Sequence, residues 1–402
     1  MRAAPGESPD LCVVNTCSVT QMADKKARHL IRNLHSRWPE AAIMVTGCYA
    51  QLKPEEVAAL PGVDIVLGTA EKGRFMEFLD KWLDDGNQIS SASPTAQLRE
   101  FSPSCERGDR TRWWLKVQDG CDYFCSYCTI PHARGRSRSP RIADLILQAR
   151  RAASEGAKEI VLTGVNVGDF GHPHGETFFD LVRALDEVEG VERFRISSIE
   201  PNLLDPALIR WVARDSRAFM PHFHLPLQSG SDAVLKLMRR RYDTALFAER
   251  VKLIRQEMPD AFIGVDVIAG ARGETPSEWE RSLAFIESLD VTRLHVFPYS
   301  ERPGTLALSL PDPVSTTDRH TRAAKLGMVS ERKFETFLKA RKGEVRPVLW
   351  EGKAELGMMH GLTDNYVRVE APYRSDLINT VQSVRIGDCV PLMTDTLTAL
   401  EP

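Results

Sequence analysis

No stretch of this sequence approaches the ~20 consecutive apolar residues that a membrane-spanning helix needs. The opening MRAAPGESPD has no apolar core of the kind a secretory signal carries. Cysteine is scarce: eight residues (12, 17, 48, 105, 121, 125, 128 and 389) in 402. That excludes a disulfide scaffold and implies a reduced, cytoplasmic protein whose thiols are available to metals. Neither sign of charge dominates, with 52 Lys and Arg against 55 Asp and Glu and a net charge of −3. The whole chain is therefore no electrostatic nucleic-acid binder, and any affinity for phosphate must reside in local patches. Internal repeats and long low-complexity tracts are also missing. What remains is the composition of an ordinary globular protein, 43% apolar and 27% charged, at a length that implies two or three domains.

The pattern of elements predicts an α/β protein in three parts. LCVVNT (11–16), AAIMVTG (41–47) and GVDIVLG (62–68) read as buried strands. ADKKARHLIRNL places Ala23, Ala27, Leu30, Ile31 and Leu34 at helical spacing, and Pro54 opens a second helix, PEEVAAL. Residues 1–90 thus form a parallel α/β sheet domain. Residues 91–112, rich in Ser, Pro and charge, read as a linker. From 113 to 338 six apolar strand runs alternate with amphipathic segments: WWLKVQ, EIVLTG, RFRISS, HFHLPL, FIGVDVIAG and VTRLHVFPY. Six β/α units predict an open, partial (β/α)6 relative of the eight-fold barrel. Residues 339–402 alternate with turn signals such as Thr363-Asp364-Asn365 and predict a small all-β barrel.

The densest chemistry is DGCDYFCSYCTIPHARGRSRS, beginning at Asp119. Cys121, Cys125 and Cys128 are spaced C-x3-C-x2-C. Three thiolates are one short of a closed zinc site. They suit a four-iron, four-sulfur cluster with one iron left open, though a zinc knuckle borrowing a distant ligand has the same spacing. Arg134, Arg136, Arg138 and Arg141 follow directly. They form either a solvated basic loop or a clamp for a polyanion. Lys25, Lys26, Arg28 and Arg32 on the first helix, and Arg239, Arg240 and Arg241, would extend such a track. Cys17 and Cys48 each end a strand, and in a parallel sheet those ends share one edge. Each is a metal ligand or a buried thiol. Cys12 lies five residues before Cys17, about 16 Å away along an extended strand and on its other face. It reads as core, and Cys105 and Cys389 as structural.

C-x3-C-x2-C with Tyr127 before the last cysteine resembles the radical S-adenosylmethionine (SAM) enzymes. Later stretches agree: LTGVNVGDFG (Gly164, Asn166), SSIEP (Glu200), HLPLQSGSD (Gln228) and DVIAGARGE (Ile268), all at strand C-termini. NTCSVTQMADKK and TGCYAQLKPEE resemble the N-terminal domain of the methylthiotransferases, and GLTDNYVRVEAP the OB-like TRAM domain. Within that family the wording is most like the bacterial tRNA N6-threonylcarbamoyladenosine methylthiotransferases. The resemblance implies a [4Fe–4S] cluster on Cys121, Cys125 and Cys128, with SAM held near Tyr127, Gly164, Asn166, Glu200, Gln228 and Ile268. It implies a second, auxiliary [4Fe–4S] cluster on three cysteines. Cys17 and Cys48 match the second and third; the resemblance places the first on a preceding strand and so implies that the sequence begins late. One SAM would methylate sulfur at the auxiliary site and another would yield the radical that opens C2 of the adenosine. The implied partners are a tRNA anticodon stem-loop, met by Arg134, Arg136, Arg138, Arg141, Lys25, Lys26 and Arg368, and an electron donor such as flavodoxin or ferredoxin, with the enzyme a monomer. Trp350, Tyr366 and Tyr373 would stack on bases or fill the core. An isopentenyladenosine tRNA methylthiotransferase, a ribosomal-protein aspartate methylthiotransferase and an inactive RNA-binding protein remain as alternatives.

Overall fold

Every second side chain of Leu11–Thr16 is buried, Cys12, Val14 and Thr16, whereas Val13 and Asn15 face outward. Period-two burial makes this a strand, β1, with one covered face. The computed structural model describes residues 7–107, 111–390 and 395–400. Ala42–Gly47 (β2) and Ile65–Leu67 (β3) are buried along almost their whole length, as central parallel strands are. With Ile89–Ser91 (β4) they form a four-stranded parallel sheet ordered β1-β2-β3-β4. The helix Gln21–Arg37 starts where the Thr20 hydroxyl accepts the Ala23 amide at 3.1 Å, and it sets Ala27 and Ile31 into the core under β1 and β2. Cys12 lies in that same core, as its position on the strand predicts.

The chain divides into two compact units. The first is Met1–Ser102 together with two later segments, Gly120–Ser137 and Ser300–Ser309. The second is Pro103–Asp119, Arg138–Tyr299 and Leu310–Pro402.

In the second unit Cys105–Arg107 (β5) runs antiparallel to Trp113–Lys116 (β6). Part of the stretch expected as a linker is thus a sheet edge. Glu159–Thr163 (β7) and Arg193–Ile196 (β8) continue from β6 in parallel. His222–Gln228 (β9), Phe262–Ala269 (β10) and Arg293–Pro298 (β11) form a second parallel set, and a Ser198–His224 bridge joins the two. Six parallel strands follow one another in chain order with helices between, the open β/α arrangement that the sequence predicts. Ile160, Leu162, Phe194, Ile196, Phe223, Leu225, Ile263, Val265 and Leu294 lie in one core. The alternate positions, Glu159, Arg193, Arg195, His222, His224, Asp266 and His295, are polar and face the other side of the sheet.

The 26-residue helix Thr316–Arg341, not anticipated from the sequence, leads to a closed five-stranded barrel. Its strands are Val345–Glu355 (β12), Met358–Thr363 (β13), Arg368–Pro372 (β14), Val381–Cys389 (β15) and Thr396–Leu400 (β16), ordered β12-β13-β14-β16-β15. Trp350, Val369, Ile386 and Leu397 share one core with Phe334, Phe337 and Leu338 of the helix and Phe262 of β10. Buried arginines add direction to this junction. Arg193 donates to the carbonyls of Leu362 and Pro347, and Arg195 to those of Thr363 and Asp364, all at 2.8 Å. Glu159 accepts from Arg195 at 2.9 Å. Burial, reinforced by the neighbouring Arg195 charge, brings Arg193 down to about 10.

Candidate metal and cofactor site

Cys121, Cys125 and Cys128 lie on the loop Gly120–Ser137, all partly exposed and unoxidised. The loop leaves and returns through a two-rung bridge: Asp119 N–H donates to Arg138 O at 3.0 Å, and Arg138 N–H to Asp119 O at 2.9 Å. Gly120 permits the tight return. Its φ is +70°, and an added Cβ would lie 2.0 Å from the Arg136 carbonyl oxygen. Cys121 N–H donates to Gly135 O at 3.1 Å, and Cys128 N–H to Cys125 O at 3.0 Å. Phe124, between the first two cysteines, is held at φ +48°, a conformation that costs a non-glycine residue about 1–3 kcal/mol.

Two backbone amides point at sulfur: Tyr123 N–H at Cys121 Sγ and Ile130 N–H at Cys128 Sγ, each 3.4 Å. Such donors favour thiolate over thiol. The loop therefore fits a cluster that takes thiolate ligands. Among the described residues no three His, Cys, Asp or Glu side chains surround a point one ion could fill. The ligands of a four-iron cube bind separate corners and need not meet at one point.

Cys17 and Cys48 are placed by sheet register. Thr16 pairs with Gly47 across β1 and β2, and each cysteine is the next residue in its chain. Parallel neighbours lie about 4.8 Å apart, so the two thiols occupy one sheet edge. Gly47 makes the close approach possible. Its φ is +98°, and a Cβ there would come within 2.3 Å of the Thr16 carbonyl oxygen. Cys17 is exposed and Cys48 buried. Two thiols are fewer than the three that the resemblance implies. The two cysteine sets are neighbours: the Thr129 hydroxyl, one residue past Cys128, donates to the carbonyl of Ser18, one residue past Cys17, at 3.4 Å.

In the second unit the expected cofactor residues gather at the carboxyl ends of the parallel strands. Gly164 and Asn166 follow β7, Glu200 follows β8, Gln228 ends β9 and Ile268 lies near the end of β10. Gln118 fixes the first of these loops, its Oε1 accepting the Val165 and Asn166 amides at 3.0 and 2.8 Å. Asn166 is 2% exposed, and neither its side-chain oxygen nor its nitrogen has a partner among the described residues. A buried amide left bare costs about 1–3 kcal/mol, so the loop fits a polar ligand completing it. Glu200 is ion-paired with Arg240. Burial pushes the Glu200 carboxyl up, and Arg240 opposes the rise. Arg240, itself nearly buried, also donates to Tyr242 Oη at 3.0 Å. Tyr127 is partly buried on the cysteine loop.

The basic residues divide. Lys25, Lys26, Arg32 and Arg141 are exposed, Arg134 is half-buried, and the Arg136 side chain is 62% exposed, 3.3 Å from Asp122. Arg138 corrects the expectation: it is buried and spends its charge on Asp119 at 3.1 Å. Arg240 likewise belongs to Glu200 rather than to a surface track. In the small barrel Trp350 is 1% exposed and belongs to the core; Tyr366 is half-buried and packs on His222 at 4.4 Å between ring centroids; Arg368 is half-buried and Tyr373 exposed. Sequence reading also missed the Asp24–Arg302 pair and the His224–Asp266 contact at 2.7 Å. No local spacing announces either, because each joins distant segments. No described helix is long and apolar enough to cross a membrane.

Comparison with known proteins agrees with this geometry. Residues 115–286 match the Radical SAM superfamily, and residues 2–68 match the uncharacterized protein family UPF0004. The fold is similar to that of the radical S-adenosylmethionine methyltransferase TsrM from Kitasatospora setae, with a TM-score of 0.56 at 16% identity over 73% of this chain and 64% of that one. Fold and cysteine loop together define a radical SAM enzyme. The chain is 37% identical, over 94% of its length and 86% of the relative's, to the threonylcarbamoyladenosine tRNA methylthiotransferase MtaB of Bacillus subtilis (strain 168). It is 35% identical to the MtaB of Thermotoga maritima over 93% and 85% of the two chains. To the tRNA-2-methylthio-N(6)-dimethylallyladenosine synthase of Natranaerobius thermophilus it is 32% identical, over 96% and 87%. The chain belongs to the radical SAM methylthiotransferase family.

Proposed function

We propose that this protein adds a methylthio group to C2 of N6-threonylcarbamoyladenosine beside the tRNA anticodon. The observation that carries the reading is the adjacency of two thiol sets within one compact unit, joined through Thr129 and Ser18. Cys121, Cys125 and Cys128 would hold the [4Fe–4S] cluster that SAM binds, and Cys17 and Cys48 supply two ligands of the auxiliary cluster. When bound, the first cluster and SAM supply the 5′-deoxyadenosyl radical that activates an otherwise inert C–H bond. The Tyr123 and Ile130 amides would hold the thiolates; Asn166, Gly164, Glu200, Gln228 and Ile268 of the second unit, and Tyr127 of the first, are the residues assigned to SAM. Arg134, Arg136, Arg141, Lys25, Lys26 and Arg368 face the phosphates of an anticodon stem-loop whose target base is splayed out. We assign residues 113–338 to the radical SAM domain and 339–402 to a TRAM-like barrel, in a cytoplasmic monomer served by a flavodoxin or ferredoxin.

The test is anaerobic reaction of reconstituted protein with stem-loops carrying threonylcarbamoyl- or isopentenyladenosine, followed by nucleoside mass spectrometry. Methylthiolation of the first substrate is expected, and none in Cys125→Ala, which also forms no 5′-deoxyadenosine. Preference for the isopentenyl substrate, or for a ribosomal protein, would replace the assignment. RNA binding without SAM cleavage would remove the enzyme altogether.

A further inference from the structure

The segment Ser300–Ser309 belongs to the first unit, although the chain reaches it only after all six parallel strands of the second. It touches both thiol sites. The Gln21 amide, first in the helix after Cys17, donates to Ser300 Oγ at 3.1 Å, and the Gln21 side chain to Glu301 O at 3.2 Å. Arg302, 3% exposed, donates from one nitrogen to Ser18 Oγ at 2.7 Å and to Asp24 Oδ2 at 2.8 Å. Ser18 in turn donates to Asp24 Oδ1 at 2.8 Å. Further along, Ala307 N–H donates to the carbonyl of Ser126, between Cys125 and Cys128, at 2.7 Å. The Thr305 hydroxyl, bonded to Arg302 O at 2.7 Å, stiffens the span between the two anchors.

A buried ion pair is an expensive way to gain stability. Desolvating two charges offsets most of their attraction, and an apolar pair of similar volume does at least as well. Arg302 additionally leaves its Nε buried without a partner among the described residues. What the pair does supply is direction, because a planar guanidinium fixes where its acceptors lie.

We propose that Arg302 is a positioning residue: its strap holds the Cys17–Ser18 turn against the Cys125–Cys128 loop and sets the separation of the two thiol sites. This rests on reading both sets as cluster sites. Transfer between two sites tolerates little displacement, with about 1 Å costing about 10²-fold. Arg302→Ala therefore cleaves SAM at the wild-type rate while methylthiolated product per 5′-deoxyadenosine falls about 10²-fold. Arg302→Lys restores much of the ratio. A second measurement uses cluster-free protein and a short bis-maleimide, with the peptide joining Cys17 to Cys125 or Cys128 read by mass spectrometry. That peptide forms in wild type and is lost in Arg302→Ala. It is also lost in Asp24→Leu/Arg302→Leu, which strands no buried charge and keeps the test valid if the single variant misfolds. An unchanged crosslink or product ratio in the folded double variant overturns the proposal. Wild-type protein that crosslinks but never cleaves SAM refutes the cluster reading and leaves the strap standing.

Discussion

Cys121, Cys125 and Cys128 sit on one short loop, whereas Cys17 and Cys48 come from the ends of separate strands. The first site is shaped by local chemistry: a positive-φ glycine, a strained Phe124 and two amides aimed at sulfur. The second has no local shape of its own. It exists because β1 and β2 pair in parallel with Thr16 opposite Gly47. Each nonetheless depends on one glycine pressed against backbone immediately before a cysteine, Gly120 before Cys121 and Gly47 before Cys48. A spacing motif and a sheet register are two routes to the same end, which is to fix thiols more rigidly than a loop alone can.

The comparison can be broken most forcefully at the base of the loop. Arg138→Ala removes one of two cations from the buried Asp119 carboxylate, leaving Lys116 at 2.7 Å, and is expected to cost about 1.5–3 kcal/mol, the worth of a hydrogen bond to a charged group. Denaturant unfolding, together with iron retention, checks this. Loss of tRNA affinity without loss of stability would return Arg138 to the phosphate-binding set.

The glycines separate the sites more finely. Gly120→Ala forces a residue into the left-handed region at about 1–2 kcal/mol and drives its methyl group into Arg136 O. It should release the loop's iron and stop SAM cleavage. Gly47→Ala should spare SAM cleavage and lose only methylthiolation. Equal loss of SAM cleavage in both variants would show that the two sites do not form independently.

These expectations also mark how far the sequence was legible. The triplet declares itself by spacing, and every apolar run from WWLKVQ to VTRLHVFPY becomes a parallel strand because period and turn residues agree. The convergence of Cys17 and Cys48 follows once the parallel sheet is inferred. Arg138 was misread because burial depends on Asp119 pairing across the base of the loop, which charge alone does not reveal. Tyr366 was left open between base stacking and the core because the sequence does not show that His222, Phe262 and Arg195 of the β/α strands pack on this barrel aromatic. Arg302 and Asp24 were invisible, since 278 residues separate them.

A smaller effect comes from His222 in the interior of the second unit. Desolvation, with the Arg195 charge next, holds His222 well below its ordinary 6.5, and its Nδ1 is sealed without a partner among the described residues. The unfolded chain takes up a proton near pH 6.5 that the native state refuses. Stability is therefore lost as pH falls below 6.5, by up to about 1.4 kcal/mol per pH unit. His222→Phe, which keeps an aromatic ring against Phe262 and Tyr366, should flatten that slope in urea titrations at pH about 7 and about 5.5. An unchanged slope would place the titration elsewhere. The smallest effect belongs to the exposed Arg136. Arg136→Ala should weaken stem-loop binding more at low salt than at high salt and lower the salt slope by about one charge. Equal weakening at every salt concentration would argue against a phosphate contact.

The central claim is that the 121–128 thiolates hold an iron cube with a corner free for SAM. The direct measurement is anaerobic iron and sulfide analysis of the Cys17→Ala/Cys48→Ala variant, with electron paramagnetic resonance of the reduced protein before and after SAM. The account predicts about four irons per chain, as one cube requires, and a spectrum that shifts when SAM is added. Zinc in place of iron, or an iron signal indifferent to SAM, would contradict it.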